Sequence, residues 1–446
     1  MIGNFGEITK IPELKKRVLF TLGMLAVYRL GVFVSTPGID VVALRNLFES
    51  GMGTLFGFVN MFSGGALEHF SIFTLGITPY ISMSIIVQVL TPNIPRLDAL
   101  KKEGESGQRV LTRYTRWGTI VLAIIQSYMI SIGLEGQGLV TDPGPMFRFQ
   151  TMATLCAGTA FMMWLGEQIT EKGIGNGISL LIFAGIIARM PTVLYQTIVE
   201  SKTGQVSPLA VLVVLAFCIA TIGAIVFVER SQRKIPIQYP RRMVGKNIAQ
   251  AQTQYMPLKV NMTGVIPPIF ASAFLVVPAT VASFSHNETL QDLMQYLAPG
   301  KPVYELIFVA LIVSFAFFYS AIIFNPTEIA ENLKKKGGFI PTVRPGKPTA
   351  DYLYGVLNRL TFWGAIYISV VCVVPQLFYI GFGTIAFASV FGGTAILIVV
   401  SVTLDTANQI DSHIVARNYE SFMNRSTKTR GGIGSMGQMR SRLQRR

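Results

Sequence analysis

Charged and metal-binding side chains are scarce in this sequence. Only 14% of its 446 residues are Asp, Glu, Lys or Arg, and it has three histidines and three cysteines. It also lacks the patterns of a nucleotide-binding P-loop, a serine-hydrolase nucleophile elbow and a zinc-protease helix. We therefore expect neither an enzyme nor a cofactor, and any directed work would need a partner or an ion gradient.

The three cysteines, Cys156, Cys218 and Cys372, all fall within apolar segments. An odd number at apolar positions argues against a disulfide framework or a metal cluster. We interpret them as small buried side chains.

Long apolar segments dominate what is present, since 51% of the residues are hydrophobic. A bilayer requires about 20 residues of helix. The apolar segments that approach this length are 18–36, 71–91, 117–134, 151–170, 177–198, 208–228, 263–285, 303–324, 357–379 and 385–404. The sequence therefore predicts an all-α polytopic membrane protein with ten transmembrane helices.

The net charge of +15 could reflect nucleic acid, acidic lipid or membrane topology alone. The basic residues favour topology, because they concentrate in alternate connections and in both terminal segments. Both termini are then cytoplasmic. The predicted division is 1–17 cytoplasmic segment, 18–198 first half, 199–206 external loop, 207–404 second half and 405–446 cytoplasmic basic tail.

Residues 54–90 contain a short apolar run, a break at Gly64 and Gly65, and a second run long enough to span. The first run is too short to cross a bilayer. A half-helix at membrane depth is tolerated only where protein or a water-filled cavity surrounds it. The stretch therefore predicts a lumen with a small element in it.

Two matched interruptions indicate an internal repeat. Gly76-Ile-Thr-Pro-Tyr-Ile and Gly264-Val-Ile-Pro-Pro-Ile share the pattern Gly-x-x-Pro-x-Ile, each in the second span of its half. In the fifth spans, Gly177 and Gly393 are each followed five residues later by isoleucine. Because each half has five spans, the halves would be inverted relative to each other, with a central pathway between them.

Isoleucine occupies the corresponding repeat positions Ile81, Ile182, Ile269 and Ile398, and Ile77 and Ile178 each lie four residues before one of them. Residues four apart share one helical face. The residues alone leave two interpretations open, ordinary packed or lipid-facing isoleucine, and a hydrophobic constriction that closes to water by dewetting.

Ionisable residues in the spans are few, and Arg29, Glu167 and Glu171 lie near span ends, where snorkelling explains them. The alternative function is a secondary transporter with inverted repeats, which would need polar groups on the broken helices. An intramembrane protease would need a nucleophile–base pair. Outside the spans, residues 230–262 predict a hairpin, and residues 325–356 are rich in turn formers.

Several long motifs resemble the SecY/Sec61-alpha family of protein-conducting channels in its bacterial form. They are NMFSGGAL, GITPYIS, KKEGESGQR, WLGEQITEKGIGNGIS, LKVNMTGVIPPIFAS, NLKKKGGFIPTVRPGKPT and FGGTAILIVV. The resemblance implies ten spans in two inverted five-helix halves around a central pore, with the external loop 199–206 as the hinge between the halves. Secretory chains would pass down the centre, and membrane segments would leave between the second and seventh spans.

The resemblance also implies roles for particular residues. The six isoleucines would form the pore ring, and residues 54–68 the short plug half-helix. The plug residues would include Thr54, Gly57, Asn60, Phe62, Gly64 and Gly65. The candidates for docking a ribosome or the SecA motor ATPase are Arg241, Arg242, Arg344 and Lys347. Further implied partners are SecE and SecG, signal-bearing polypeptides and anionic lipids, in a bacterial inner membrane.

Overall fold

The fold is a bundle of long helices with a small β-ribbon near the middle of the chain. The computed structural model describes residues 11–40, 44, 64–136, 138–204, 206–239, 243–244, 247–248, 253–283, 301–382, 387 and 391–415. The helices are α1 Pro12–Val32, α2 Thr78–Asn93, α3 Pro95–Lys102, α4 Glu105–Gly136, α5 Pro145–Lys172, α6 Gly177–Lys202, α7 Pro208–Arg230, α8 Ile266–Ser283, α9 Pro302–Ile323, α10 Pro326–Lys335, α11 Lys347–Gly381 and α12 Gly393–Val415. The strands are β1 Gln232–Gln238, β2 Met243–Val244, β3 Asn247–Ile248 and β4 Thr253–Lys259.

Proline marks the start of many of these helices. The first residues of α1, α3, α5, α7 and α9 are Pro12, Pro95, Pro145, Pro208 and Pro302. Proline suits this position because its φ is already helical and its missing N–H would have no partner within the helix. Local sequence therefore sets these starts.

Each apolar segment of the sequence overlaps one helix. Among the described residues, α4, α6, α7, α9, α11 and α12 are long and apolar enough to cross a membrane, judged by length and composition. Two helices begin well before their apolar segments, by about twelve residues in α4 and ten in α11. Their first turns are polar, so hydropathy does not mark them as part of the helix.

Two helices begin later than the sequence predicts. The span predicted from residue 71 becomes helical only at Thr78, and the span predicted from residue 263 only at Ile266. In both cases a glycine with positive φ precedes the helix, Gly76 at +56° and Gly264 at +63°. That conformation interrupts a right-handed helix, and a hydropathy average does not register it.

Apolar clusters lie where the long helices pack. One joins α7, α9, α11 and α12, and its fully buried members include Val214, Ile312 and Ile368. Cys218 and Cys372 belong to this cluster and are free thiols, which confirms their interpretation as buried side chains. A second cluster links α1, α2, α5, α6 and α12 and contains the candidate site.

The hairpin predicted within residues 230–262 is confirmed. Strands β1 and β4 pair antiparallel, with Gln232 opposite Lys259. Side chains alternate along each strand, and Ile235 and Leu258 are buried on one face. That face packs against Ile340, Leu353 and Val356 of the 325–356 segment and against Leu360, one turn further along α11.

Backbone pairing joins the two segments further. Gln238 and Phe339 exchange N–H···O bonds of 2.9 and 3.0 Å. Gly338 allows the close approach, because a Cβ there would lie 3.0 Å from Cε1 of Tyr239. The described residues of segments 230–262 and 325–356 therefore pack together, and we call the two segments the ribbon unit.

Candidate functional site

The six isoleucines assigned to the pore ring lie in one apolar cluster. Three are nearly fully buried, with exposures of 6%, 3% and 0%: Ile77, Ile182 and Ile398. Three are partly buried against the same cluster: Ile81, Ile178 and Ile269. They come from the starts of α2, α6, α8 and α12, so both halves of the chain contribute. These side chains offer no hydrogen-bonding group to water or to an ion.

The helices α2 and α8 begin in the same way. Gly76 and Gly264 each adopt a positive φ two residues before the first helical residue. Pro79 and Pro267 each occupy the second helical position. The Gly-x-x-Pro pattern is therefore a repeated structural feature, in which glycine reverses the backbone and proline starts the helix.

The repeat extends into the first helical turn. The Ile81 N–H donates to the Ile77 carbonyl at 3.0 Å, and the Ile269 N–H donates to the Val265 carbonyl at 3.5 Å. Ile81 and Ile269 are thus each the fourth residue of their helix. The helices α2 and α8 also contact each other directly, so the two broken helices are neighbours across the halves.

The helices α6 and α12 each begin at a glycine pressed against a neighbouring backbone. A Cβ on Gly177 would lie 1.9 Å from the Gly166 carbonyl oxygen of α5, and a Cβ on Gly393 would lie 1.8 Å from the Val371 carbonyl oxygen of α11. Small residues allow such contact between helix backbones. An isoleucine of the cluster follows five residues after each glycine, so these contacts help fix where that side chain lies.

Residues 64–77, which precede α2, form consecutive turns that are mostly buried. The Gly64 carbonyl accepts a 2.9 Å hydrogen bond from Nη1 of Arg29, and a Cβ on Gly64 would lie 2.8 Å from Cα of Gly185. Gly64 has φ of +67° and Gly65 of +91°. Gly64 is thus enclosed, whereas a Cβ on Gly65 would meet open space.

An ion pair fixes the same segment to α6. Glu68 and Arg189 approach to 2.5 Å, with side-chain exposures of 37% and 21%. The backbone also pairs with the chain after α1, since the Thr36 N–H donates to the Phe70 carbonyl at 2.8 Å. The remaining residues assigned to the plug lie outside the described residues: Thr54, Gly57, Asn60 and Phe62.

Two charged residues near the ends of the predicted spans have hydrogen-bond partners within the protein, which sequence reasoning did not identify. Arg29 bonds to Gly64, and Glu167 of α5 accepts a 2.7 Å hydrogen bond from Nε of Arg116 in α4. Glu171 is exposed. Within the described ranges, no group of three His, Cys, Asp or Glu could hold a metal ion.

The structure describes two of the four basic residues assigned to docking. Arg344 and Lys347 are both exposed where the ribbon unit leads into α11. Oγ1 of Thr349 donates to the Arg344 carbonyl at 2.8 Å, which holds the turn at Arg344 in place. Arg241 and Arg242 lie outside the described residues.

Sequence reasoning missed Asn261, which lies between β4 and α8. Its side chain is buried and bonds to Glu229 Oε1 at 2.7 Å and to the backbone of Gly264. The Asn-x-x-Gly spacing before a predicted helix was the available signal, because asparagine commonly bonds to the backbone a few residues on.

Comparisons with known proteins agree on one family. A family model named SecY matches residues 71–407. The protein translocase subunit SecY of Pseudomonas aeruginosa is 47% identical over 430 residues, which cover 96% of this chain and 97% of that protein.

Two solved structures have the same fold. One is a SecY translocation channel whose plug domain is described as stabilising the closed state and maintaining a membrane seal, with a TM-score of 0.66 and 17% identity over 90% of this chain and 93% of that one. The other is Sec61 in the canine ribosome–channel complex from the endoplasmic reticulum, with a TM-score of 0.62 and 17% identity over the same shares.

Proposed function

The chain belongs to the SecY family, and we propose that it is the central channel subunit of a protein translocase. It conducts unfolded secretory polypeptides across the membrane and is not itself an enzyme. The observation that carries the proposal is the convergence of six isoleucines from both halves in one apolar cluster.

The six isoleucines act as the pore ring. A narrow apolar constriction excludes ions because no polar group replaces their hydration shell. It also gives a passing polypeptide no fixed charge to bind. The ring consists of Ile77, Ile81, Ile178, Ile182, Ile269 and Ile398.

Residues 54–68 form the plug that seals the resting channel. The support comes from the C-terminal end of this segment, where Gly64 is bonded to Arg29 and Glu68 is paired with Arg189. These contacts suit a fixed anchor at the end of a movable segment.

Transmembrane segments leave the channel sideways between α2 and α8. These helices contact each other directly and belong to different halves, so moving the halves apart separates them without breaking a helix. The two halves cover residues 18–198 and 207–404, and residues 199–206 are the external hinge between them. The loop is shorter than the sequence predicts, because residues 199–202 form the last turn of α6.

Ten helices cross the membrane in two inverted sets of five, with both termini in the cytoplasm of a bacterium and the channel in its inner membrane. The matched starts of α2 and α8, and of α6 and α12, support the repeat. The excess of basic residues in the ribbon unit and in residues 405–446 supports the orientation.

The partners follow from the same assignment. SecE and SecG are small membrane subunits beside the channel, and anionic lipids surround it. The ribbon unit docks the SecA ATPase or a ribosome, through Arg241, Arg242, Arg344 and Lys347. Ribosomal RNA would attract these residues through its phosphates, in a salt-dependent way.

Reconstitution tests the function. The purified chain, placed in vesicles with SecE and SecG, should translocate a signal-bearing polypeptide into a protease-protected space when SecA and ATP, or a translating ribosome, are supplied. The same polypeptide without its signal is the control. Uptake of a small solute with no polypeptide transport would instead establish a secondary transporter and refute the proposal.

A plug deletion gives a second readout. Removing residues 54–63, which leaves the anchor at Gly64 intact, should raise the resting ion conductance and let weaker signals through. An unchanged conductance would refute the plug assignment and leave the transport assignment standing.

A further inference from the structure

The side chain of Asn261 uses its full hydrogen-bonding capacity although it is only 2% exposed. Its Nδ2 donates to Oε1 of Glu229 at 2.7 Å and to the Gly264 carbonyl at 3.2 Å. Its Oδ1 accepts from the Gly264 N–H at 3.0 Å and from Oγ1 of Thr263 at 3.2 Å. An amide has two donors and two acceptor positions, so all four are satisfied.

These bonds close a tight loop around Gly264. Both polar groups of the Gly264 backbone bond to one side chain, which holds that residue at a φ of +63°. Helix α8 begins two residues later, and Ile269 lies in its first turn. The conformation at Gly264 therefore sets the direction in which α8 leaves the loop.

The same loop is attached to three other helices. Glu229 lies in the last turn of α7, so the bond from Asn261 ties the loop to that helix. Gly364 of α11 packs beneath it, where a Cβ would lie 3.2 Å from the Val260 carbonyl oxygen. The end of β4 reaches α12 through a 3.3 Å ion pair between Lys259 and Asp405.

The corresponding break in the first half is held differently. There, Oγ1 of Thr74 donates to the Ser71 carbonyl at 2.6 Å, within residues 64–77. Among the described residues, the second-half break alone is bonded to the carboxylate of another helix and directly follows a ribbon strand. The two halves therefore share a backbone shape but differ in what holds it.

We propose that Asn261 and Glu229 are a positioning pair that couples the ribbon unit to the pore ring. A load applied to the ribbon passes through β4 to Asn261, and the bond to Glu229 resists it. When that bond is broken, the Gly264 loop relaxes and α8 carries Ile269 away from the other ring residues. This inference rests on the proposed channel function.

The surroundings of Glu229 make the pair testable without unfolding the protein. A cavity of about 410 Å³ lies beside it and is also lined by Lys234, Lys259 and Asp405. A carboxylate that loses Asn261 can therefore reach water or an ammonium group, which reduces the cost of an unpaired buried charge.

The first experiment exchanges the chemistry of the pair. Asn261→Asp puts two carboxylates in contact and removes the donor to Glu229, so the resting ion conductance should rise by about tenfold. Glu229→Gln retains an acceptor for Asn261 and should change the resting ion conductance by about twofold or less. The double variant restores a donor opposite an acceptor and should return to within about threefold of the parent.

The matched control is Asn408→Asp, which places a carboxylate beside the same cavity on α12, away from Gly264. It should leave the resting conductance at the parental value. The proposal is overturned if Asn261→Asp, folded and assembled, conducts like Asn408→Asp. It is also overturned if the double variant is as leaky as the Asn261→Asp single variant.

A distance measurement separates this inference from the channel function. Spin labels at Ile86 of α2 and Phe274 of α8, both exposed, report the separation of these helices once the three cysteines are replaced by alanine. Asn261→Asp should lengthen or broaden the distance, and the double variant should reverse the change. No shift, with polypeptide transport intact in the parent, overturns the coupling alone.

Discussion

Replacing Gly393 with alanine should push α12 away from α11 and open the apolar cluster to ions. The added Cβ would lie 1.8 Å from the Val371 carbonyl oxygen and 2.8 Å from the Cys372 Cα and carbonyl oxygen. These are backbone atoms, so no side chain can rotate away. Reaching a tolerable 3.0 Å from the Val371 oxygen needs a separation of at least about 1.2 Å (3.0 minus 1.8).

The size of the effect follows from the cost of overpacking, about 1–3 kcal/mol for a forced backbone shift. If that energy opposes the closed arrangement, the open population rises by about tenfold for each 1.4 kcal/mol. Ile398 lies five residues into the displaced helix, so the cluster loses contact at that point. We therefore expect a resting conductance about 5- to 150-fold above the parent in a planar bilayer.

Gly223→Ala is the matched control for this substitution. Gly223 lies within α7, and a Cβ there would meet nothing within 4 Å. Alanine in a helix interior is expected to be neutral or to stabilise by about 0.5–1 kcal/mol. Gly177→Ala, in the first half of the chain, should raise the resting conductance in the same way, because its Cβ would lie 1.9 Å from the Gly166 carbonyl oxygen. Parental conductance and thermal stability in Gly393→Ala would refute the reasoning.

Three further outcomes are expected. Replacing Ile81 and Ile269 with asparagine places amides in the apolar cluster. The resting conductance should rise, and polypeptides with weaker signal sequences should be transported. An unchanged current in a planar bilayer would contradict the pore ring. Arg344→Glu should reduce SecA-driven translocation while leaving membrane insertion of the chain itself intact, and an equal loss of both would indicate misfolding. Reversing either charge of the Glu68–Arg189 pair should raise the resting conductance by about two- to fivefold, as expected for a partly exposed ion pair. Reversing both charges should restore the parental conductance. A double variant as leaky as the single variants would exclude the pair as an anchor.

Much of the fold could be predicted because the relevant signals are local. Apolar length marks each helix, and proline sets many of the starts. The Gly-x-x-Pro pattern correctly paired Gly76 with Gly264, since positive φ and helix initiation depend on adjacent residues alone. The ribbon was predictable for the same reason, from alternation around Ile235.

The contacts between elements were not predictable in this way. A glycine at the start of α6 or α12 does not disclose which backbone it touches, because that depends on how two distant helices pack. The partners of Arg29 and Glu167 are likewise 35 and 51 residues away in sequence. The bonds from Asn261 to the Gly264 backbone could have been suspected from the local sequence. Its bond to Glu229 could not, because it depends on how α7 packs against the loop before α8.

The ribbon unit also constrains how related channels can be recombined. The 230–262 and 325–356 segments share one buried core and a backbone bridge between Gln238 and Phe339. Neither segment can therefore keep its apolar side chains buried without the other. A chimera that exchanges one segment alone should expose apolar side chains such as Ile235 and Ile340 and lose the geometry around Arg344. A transplant of both segments should keep its own partner preference, so the pair is the smallest unit that can be moved between channels.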